Sequence, residues 1–184
     1  MSMMLLSQWT LWLTKQYCGP PISEQVWQML TRKVAVFDSV EGFWGVMNHV
    51  KLPLEMRHDK LKYYLFKSDI EPVWEHEANA SGGQWTIESN ETSDDHWIAL
   101  ACVVIGEDFE FSEHICGVGS SAAKGELLLT IWVKDASDWA ACNGVRRAIH
   151  DALKFSDTST TWRFRKHFPN RPYVPSSFSP HPRV

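Results

Sequence analysis

The sequence predicts an α+β domain, an antiparallel β-sheet covered on one face by three helices. Strand-like segments follow one another in runs, and three well-separated segments with helical periodicity interrupt them. The bulk numbers agree: 184 residues, 44% hydrophobic and 22% charged, suit one domain with a sizeable core. A third feature is the ten tryptophans. An indole must be covered and its N–H satisfied, so ten of them suggest that several serve a purpose other than filling.

The elements follow in order. Gln8 to Leu13 is apolar with weak alternation and reads as a buried strand. Val34 to Phe37 is a short β-branched strand leading to a helix start, where Asp38 or Ser39 can cap and Glu41 favours the N-terminal dipole. That helix carries Phe43, Trp44, Met47 and Val50 and ends at Lys51-Leu52-Pro53. Tyr63 to Lys67 is the next strand, Pro72 to Asn79 a polar loop holding Trp74, and Ser81-Gly82-Gly83 a turn into the strand Gln84 to Ile87. A second helix starts near Ser93 and stops at Gly106. Ile115 to Val118 reads as a strand, Gly119 to Gly125 as a small-residue loop, and Glu126 to Val133 as a strongly apolar strand. The third helix runs from about Ser137 to Leu153, with Trp139, Val145, Ile149 and Leu153 inward. Trp162 to Arg165 alternates as a last strand. One domain over residues 1–168 is expected, followed by a proline-rich segment, residues 169–184, expected to be extended or disordered.

Several classes are excluded. A net charge of −4 argues against sequence-blind binding to long nucleic acid or DNA, while leaving room for a short ligand in a local pocket. Cys18, Cys102, Cys116 and Cys142 form no C-x-x-C pair, so neither a zinc site nor a disulfide framework is expected, and reduced thiols in the cytosol or nucleus follow. The apolar N-terminus lacks a basic flank and a cleavage site, and no apolar run approaches the roughly 18 residues that span a bilayer. Lys124 is not followed by Ser or Thr, so the glycine-rich stretch before it is no phosphate-binding Walker loop. No pattern of nucleophile and base stands out, and neither an enzyme nor a cofactor or metal is expected.

Trp74 sits in a polar stretch and is followed at once by Glu75; Trp27 lies in a mixed segment after Pro20-Pro21. An indole beside a carboxylate suits a flat, electron-poor base with N–H donors on its edge, which points to a guanine carrying positive charge. The competing reading makes both rings ordinary core.

The order and spacing of the tryptophans resemble the cap-binding translation initiation factor 4E family. The resemblance runs from Trp9 to about Leu153 and rests on Trp9-Thr10-Leu11-Trp12, Trp27-Gln28, Val40-Glu41-Gly42-Phe43-Trp44, Ile70-Glu71-Pro72-Val73-Trp74-Glu75, Gly82-Gly83-Gln84-Trp85, Lys124-Gly125 and Ile131-Trp132. It implies a curved antiparallel sheet with three helices on its convex back. It also implies that Trp27 and Trp74 sandwich the 7-methylguanine of an mRNA cap, that Glu75 accepts from its N1–H and N2–H, and that Trp132 contacts the added methyl. Strand packing competes for Trp132. N7 methylation places a delocalised charge between two indoles, adding a cation–π component to base stacking.

The sequence departs from the family at the phosphates. The expected arginine falls at Ala122, the lysine at Leu127 or its neighbour, and Gln84 replaces a basic residue. Lys124 is retained, and Arg163, Arg165 and Lys166 are candidates to compensate; a solvated basic strand face competes for them. On the helix side the resemblance implies a docking surface for a 4G-type scaffold or a 4E-binding protein at Val40, Trp44 and Ile98, with helix–sheet packing the competing role for Trp44. The implied function is cap binding in translation initiation, in the cytoplasm and also the nucleus. The alternative is a weak cap binder acting as repressor or scaffold.

Overall fold

The computed structural model describes residues 2–15, 24–123 and 126–168. The proline-rich segment 169–184, Lys124 and Pro20-Pro21 lie outside the described residues. Seven strands form one curved antiparallel sheet: β1 (Met4–Lys15), β2 (Thr31–Ser39), β3 (Leu61–Lys67), β4 (Gly83–Ser89), β5 (Ile115–Ala123), β6 (Glu126–Val133) and β7 (Thr160–Lys166), in the spatial order β2-β1-β3-β5-β6-β4-β7.

The expected helices are present as α2 (Val40–Met47), α4 (Asp94–Gly106) and α5 (Trp139–Leu153). Two more were not anticipated: α1 (Glu24–Leu30) and the single turn α3 (Glu77–Ala80). Ser39 caps α2 by accepting from the Gly42 N–H, and Asp138 caps α5 by accepting from the Ala141 N–H at 2.9 Å. The α4 helix closes at Glu107, which takes a left-handed conformation, φ 50°.

Strand alternation divides the apolar residues between two faces. Trp9, Leu11, Leu65, Trp85, Ile87, Val118, Leu129 and Ile131 point to the helices and join Trp97, Leu100, Val104, Val145, Ile149 and Leu153 in the main core. Trp85 ties sheet to helix twice over, by packing and by donating its Nε1–H to the Cys142 carbonyl at 2.9 Å. Trp139, expected inward, is half exposed, because it opens the first turn of α5 at the edge of the layer, where it leans on Trp85 and Phe164.

The other face carries a separate cluster of Trp12, Tyr64, Phe66, Ile70, Trp74, Cys116 and Trp132. Here β5 runs five residues beyond the expected end at Val118. The small residues of Gly119 to Ala123 are strand, not loop, paired with β6 as far as Ala123 and Glu126. Their smallness serves the neighbours. A Cβ at Gly117 would lie 2.2 Å from the Phe66 ring, and one at Gly119 2.8 Å from the Tyr64 ring. The glycines let rings from β3 and β6 meet over β5, with Trp132 5.2 Å from Phe66 and 5.9 Å from Tyr64 between centroids.

Candidate functional site

The aromatic face is a grid set by the strand register. One row across the sheet runs Phe66, Gly117, Trp132, Gln84, Arg165, and the next runs Tyr64, Gly119, Thr130, Thr86, Arg163. Trp132 is therefore fixed by β6, and Arg165 stands two strands away in the same row. The 68–82 connection brings Trp74 over this face.

Trp74 is held by a small polar knot. Asn79, fully buried, donates its two Nδ2 hydrogens to the Glu71 and Val73 carbonyls, both at 2.8 Å, tying down the segment that ends in Trp74. The Asn79 carbonyl in turn accepts from His167 Nδ1 at 2.8 Å, and the His167 N–H donates to the Gly82 carbonyl. Because the carbonyl can only accept, His167 carries its proton on Nδ1. Its ring lies parallel to Trp74, with centroids 5.5 Å apart and planes 14° apart, and 4.6 Å from Trp132. Burial pushes its pKa down to about 4, with the Arg165 charge adding to the effect and the Asn79 bond opposing it. His167 is thus neutral at pH 7, a packing plate between two tryptophans.

The Arg165 guanidinium lies over the Trp74 ring, 5.1 Å from its centroid. Trp74 is left only 6% exposed, while Glu75 beside it is exposed. Trp74, Glu75, Trp132, Arg165 and His167 therefore belong to one neighbourhood. Trp27 is buried on α1, whose packing is against β2, and makes no ring contact with Trp74 among the described residues.

The strand register sorts the residues around the expected phosphate positions by face. Ala122 and Leu127 pair with each other and both point into the main core, so neither could aim a cation at the aromatic face. Ser121 and Leu128 hold the outward positions there. Lys166 falls on the same side of β7 as Phe164, towards the helices, because side chains alternate along a strand. It cannot act beside Arg163 and Arg165. Arg163 faces correctly but is bonded to Glu88, Nε to Oε2 3.0 Å. Three residues escaped the sequence reading. Asn79 and Cys116 support the cluster from below, and the Lys62 ammonium lies 5.1 Å from the Tyr64 centroid on the same face. The period of two across Lys62, Tyr64 and Phe66 was the available signal. The Cys116 thiol is pushed up to about 12 by burial and is inert.

On the helix side, Trp44 is 40% exposed on α2, edge-on to the fully buried Phe43 at 5.0 Å. Val40 opens α2 and Ile98 lies on α4, and both are half-buried.

Known proteins share this fold. The family model described as eukaryotic initiation factor 4E matches residues 4–173. The chain is 34% identical over 156 residues to eukaryotic translation initiation factor 4E of Dictyostelium discoideum, covering 84% of this chain and 61% of that protein. It is 32% identical over 154 residues to factor 4E1 of Drosophila melanogaster, covering 82% and 57%. It thus spans less than two thirds of either relative. Among solved structures it is similar to Ascaris suum eIF4E-3 in complex with an m2,2,7G cap, with a TM-score of 0.77, 28% identity and coverage of 96% and 98%. It is also similar to a schistosome eIF4E complexed with m7GpppG and 4E-BP, with a TM-score of 0.81, 27% identity and coverage of 97% and 96%. With the match extending over nearly all the described residues, the chain belongs to the eukaryotic initiation factor 4E family.

Proposed function

We propose that this protein binds the 7-methylguanosine cap of mRNA and brings it to a 4G-type scaffold or a 4E-binding protein, as a binding protein and not an enzyme, acting in the cytoplasm and also the nucleus. The observation that carries the reading is the Trp74 knot. A tryptophan is braced by Asn79 and His167 outside the main core, 94% covered, with an exposed carboxylate as its next residue. A core ring needs no such bracing. In this reading the methylated base stacks on Trp74, Glu75 accepts from its N1–H and N2–H, Trp132 meets the methyl group, and Trp27 supplies the second indole from α1. Arg165 is the phosphate ligand on the aromatic face, with Arg163 behind it in its pair with Glu88, and Lys124 is a further cation for the phosphates. Trp44, with Val40 and Ile98, anchors the partner helix.

The experiment is calorimetric titration with 7-methyl-GTP and with GTP. Wild type should prefer the methylated ligand by about tenfold or more, since unmethylated guanine lacks the ring charge worth about 2 kcal/mol when desolvated. Trp74→Ala should weaken 7-methyl-GTP binding by a further 1–3 kcal/mol, about the worth of one stacked base. Equal affinity for both nucleotides in the wild type would defeat the reading.

A further inference from the structure

We propose that Arg165 is a displaceable cover on Trp74, and that it makes the site selective for methylated bases that carry phosphates. The inference rests on the cap-binding reading above. Trp74 has little free surface, and a base cannot stack on a ring whose face is already occupied. Besides its packing in the aromatic cluster, two polar side chains lie against the Trp74 ring, His167 and Arg165. His167 is buried, bonded through both its backbone N–H and Nδ1, and stays. Arg165 is exposed, its guanidinium rests over the indole at 5.1 Å, and it forms no salt bridge among the described residues. It is the cover that can leave.

A capped nucleotide provides both halves of an exchange. The methylated base offers the indole a delocalised cation in place of the guanidinium, so the cation–π contact is replaced and not lost. The phosphates offer the freed guanidinium an anion, in the planar two-donor geometry that Arg accepts and Lys does not match. A methylated nucleoside offers only the first half. It must displace Arg165 and gives the guanidinium nothing but water. Arg165 thus links the charge on the tail of the ligand to access at the ring, and one side chain serves for both.

The test compares 7-methylguanosine with 7-methyl-GTP by calorimetry at low salt, on wild type, Arg165→Met and Arg165→Lys. The methionine keeps much of the apolar stem and removes the charge; the position is exposed, and the strand beneath it is unaltered. The nucleoside should bind Arg165→Met about two- to fivefold more tightly, the worth of an exposed cation–π contact. The triphosphate should bind it more weakly, through loss of a charge-assisted bond worth about tenfold or more. Arg165→Lys should hold the triphosphate better than Arg165→Met does, and release the nucleoside from competition in part. Opposite signs for the two ligands support the exchange. A nucleoside affinity that is unchanged or lower in Arg165→Met overturns it, even while the triphosphate result stands. Wild type that binds neither methylated ligand overturns the cap-binding reading, and this inference with it.

Discussion

His167 shows how one residue sets the working range of the site. An ordinary histidine titrates near 6.5, and this one near 4. Between those values the unfolded chain takes up a proton that the folded chain refuses. Stability from this residue is therefore complete above about pH 6.5 and drains away as the pH falls towards 4. The full loss is worth about 3 kcal/mol, a sizeable part of a domain's stability. Urea titrations from pH 7 to 4 should show this slope in the wild type. His167→Phe keeps a ring against Trp74 but removes one of the two hydrogen bonds to the Asn79 carbonyl, which still accepts from the Gly82 N–H. It should cost about 0.5–1.5 kcal/mol at pH 7 and flatten the acid slope. A slope that survives in the variant would place the titrating group elsewhere.

At the scale of elements, the residues that pattern well are those that bury one stripe or one face. The helices α2, α4 and α5 were legible from their apolar spacing and caps, and β1, β3, β4 and β6 from apolar runs between turn residues. α3 is one turn inside a polar loop and has no room for a periodic signal. The second half of β5, from Gly119 to Ala123, was hidden for a different reason. Its Gly and Ser residues look like a loop because the volume they lack is filled by Phe66 and Tyr64, which come from β3. Lys166 lies one residue past the expected end of the last strand; β7 continues through it, and alternation turns it to the face opposite Arg165. Of the site, Trp74, Glu75, Trp132 and Arg165 were visible in sequence, while Asn79 was not, because its role depends on two carbonyls that only the folded loop presents. The contrast between glycines can be measured. Gly117→Ala forces a methyl into the Phe66 ring and the Leu65 carbonyl and should cost about 1–3 kcal/mol. Gly45→Ala, in mid-α2 with nothing near its Cβ, should gain about 1 kcal/mol. Thermal melts of the two variants should move in opposite directions.

For the whole molecule, the sheet keeps two surfaces apart. Trp74 and Trp132 lie on the aromatic face, while α2 packs through Phe43 and Met47 into the core on the other side. Trp44 touches that core through Phe43 and leaves two fifths of itself in solvent, so truncating it removes less buried area than truncating a core indole does. Its loss should cost the fold well under what a buried indole costs, about 3–5 kcal/mol. An exposed indole that anchors a partner helix is, by contrast, the kind of residue whose truncation costs about 2 kcal/mol or more in binding. Sites with no shared side chain on opposite sides of a sheet are expected to add rather than couple, to within about 0.5 kcal/mol. Trp44→Ala should therefore weaken binding of a 4E-BP-type peptide about thirtyfold or more, the equivalent of that 2 kcal/mol, and leave 7-methyl-GTP affinity within about twofold. Trp74→Ala should do the reverse, and the double variant should show both losses at their single-variant size. Calorimetry of the four proteins with both ligands checks this. A double variant whose losses depart from the sum would mean that the sheet transmits between its faces, with Phe43 and the strands beneath it as the first place to look.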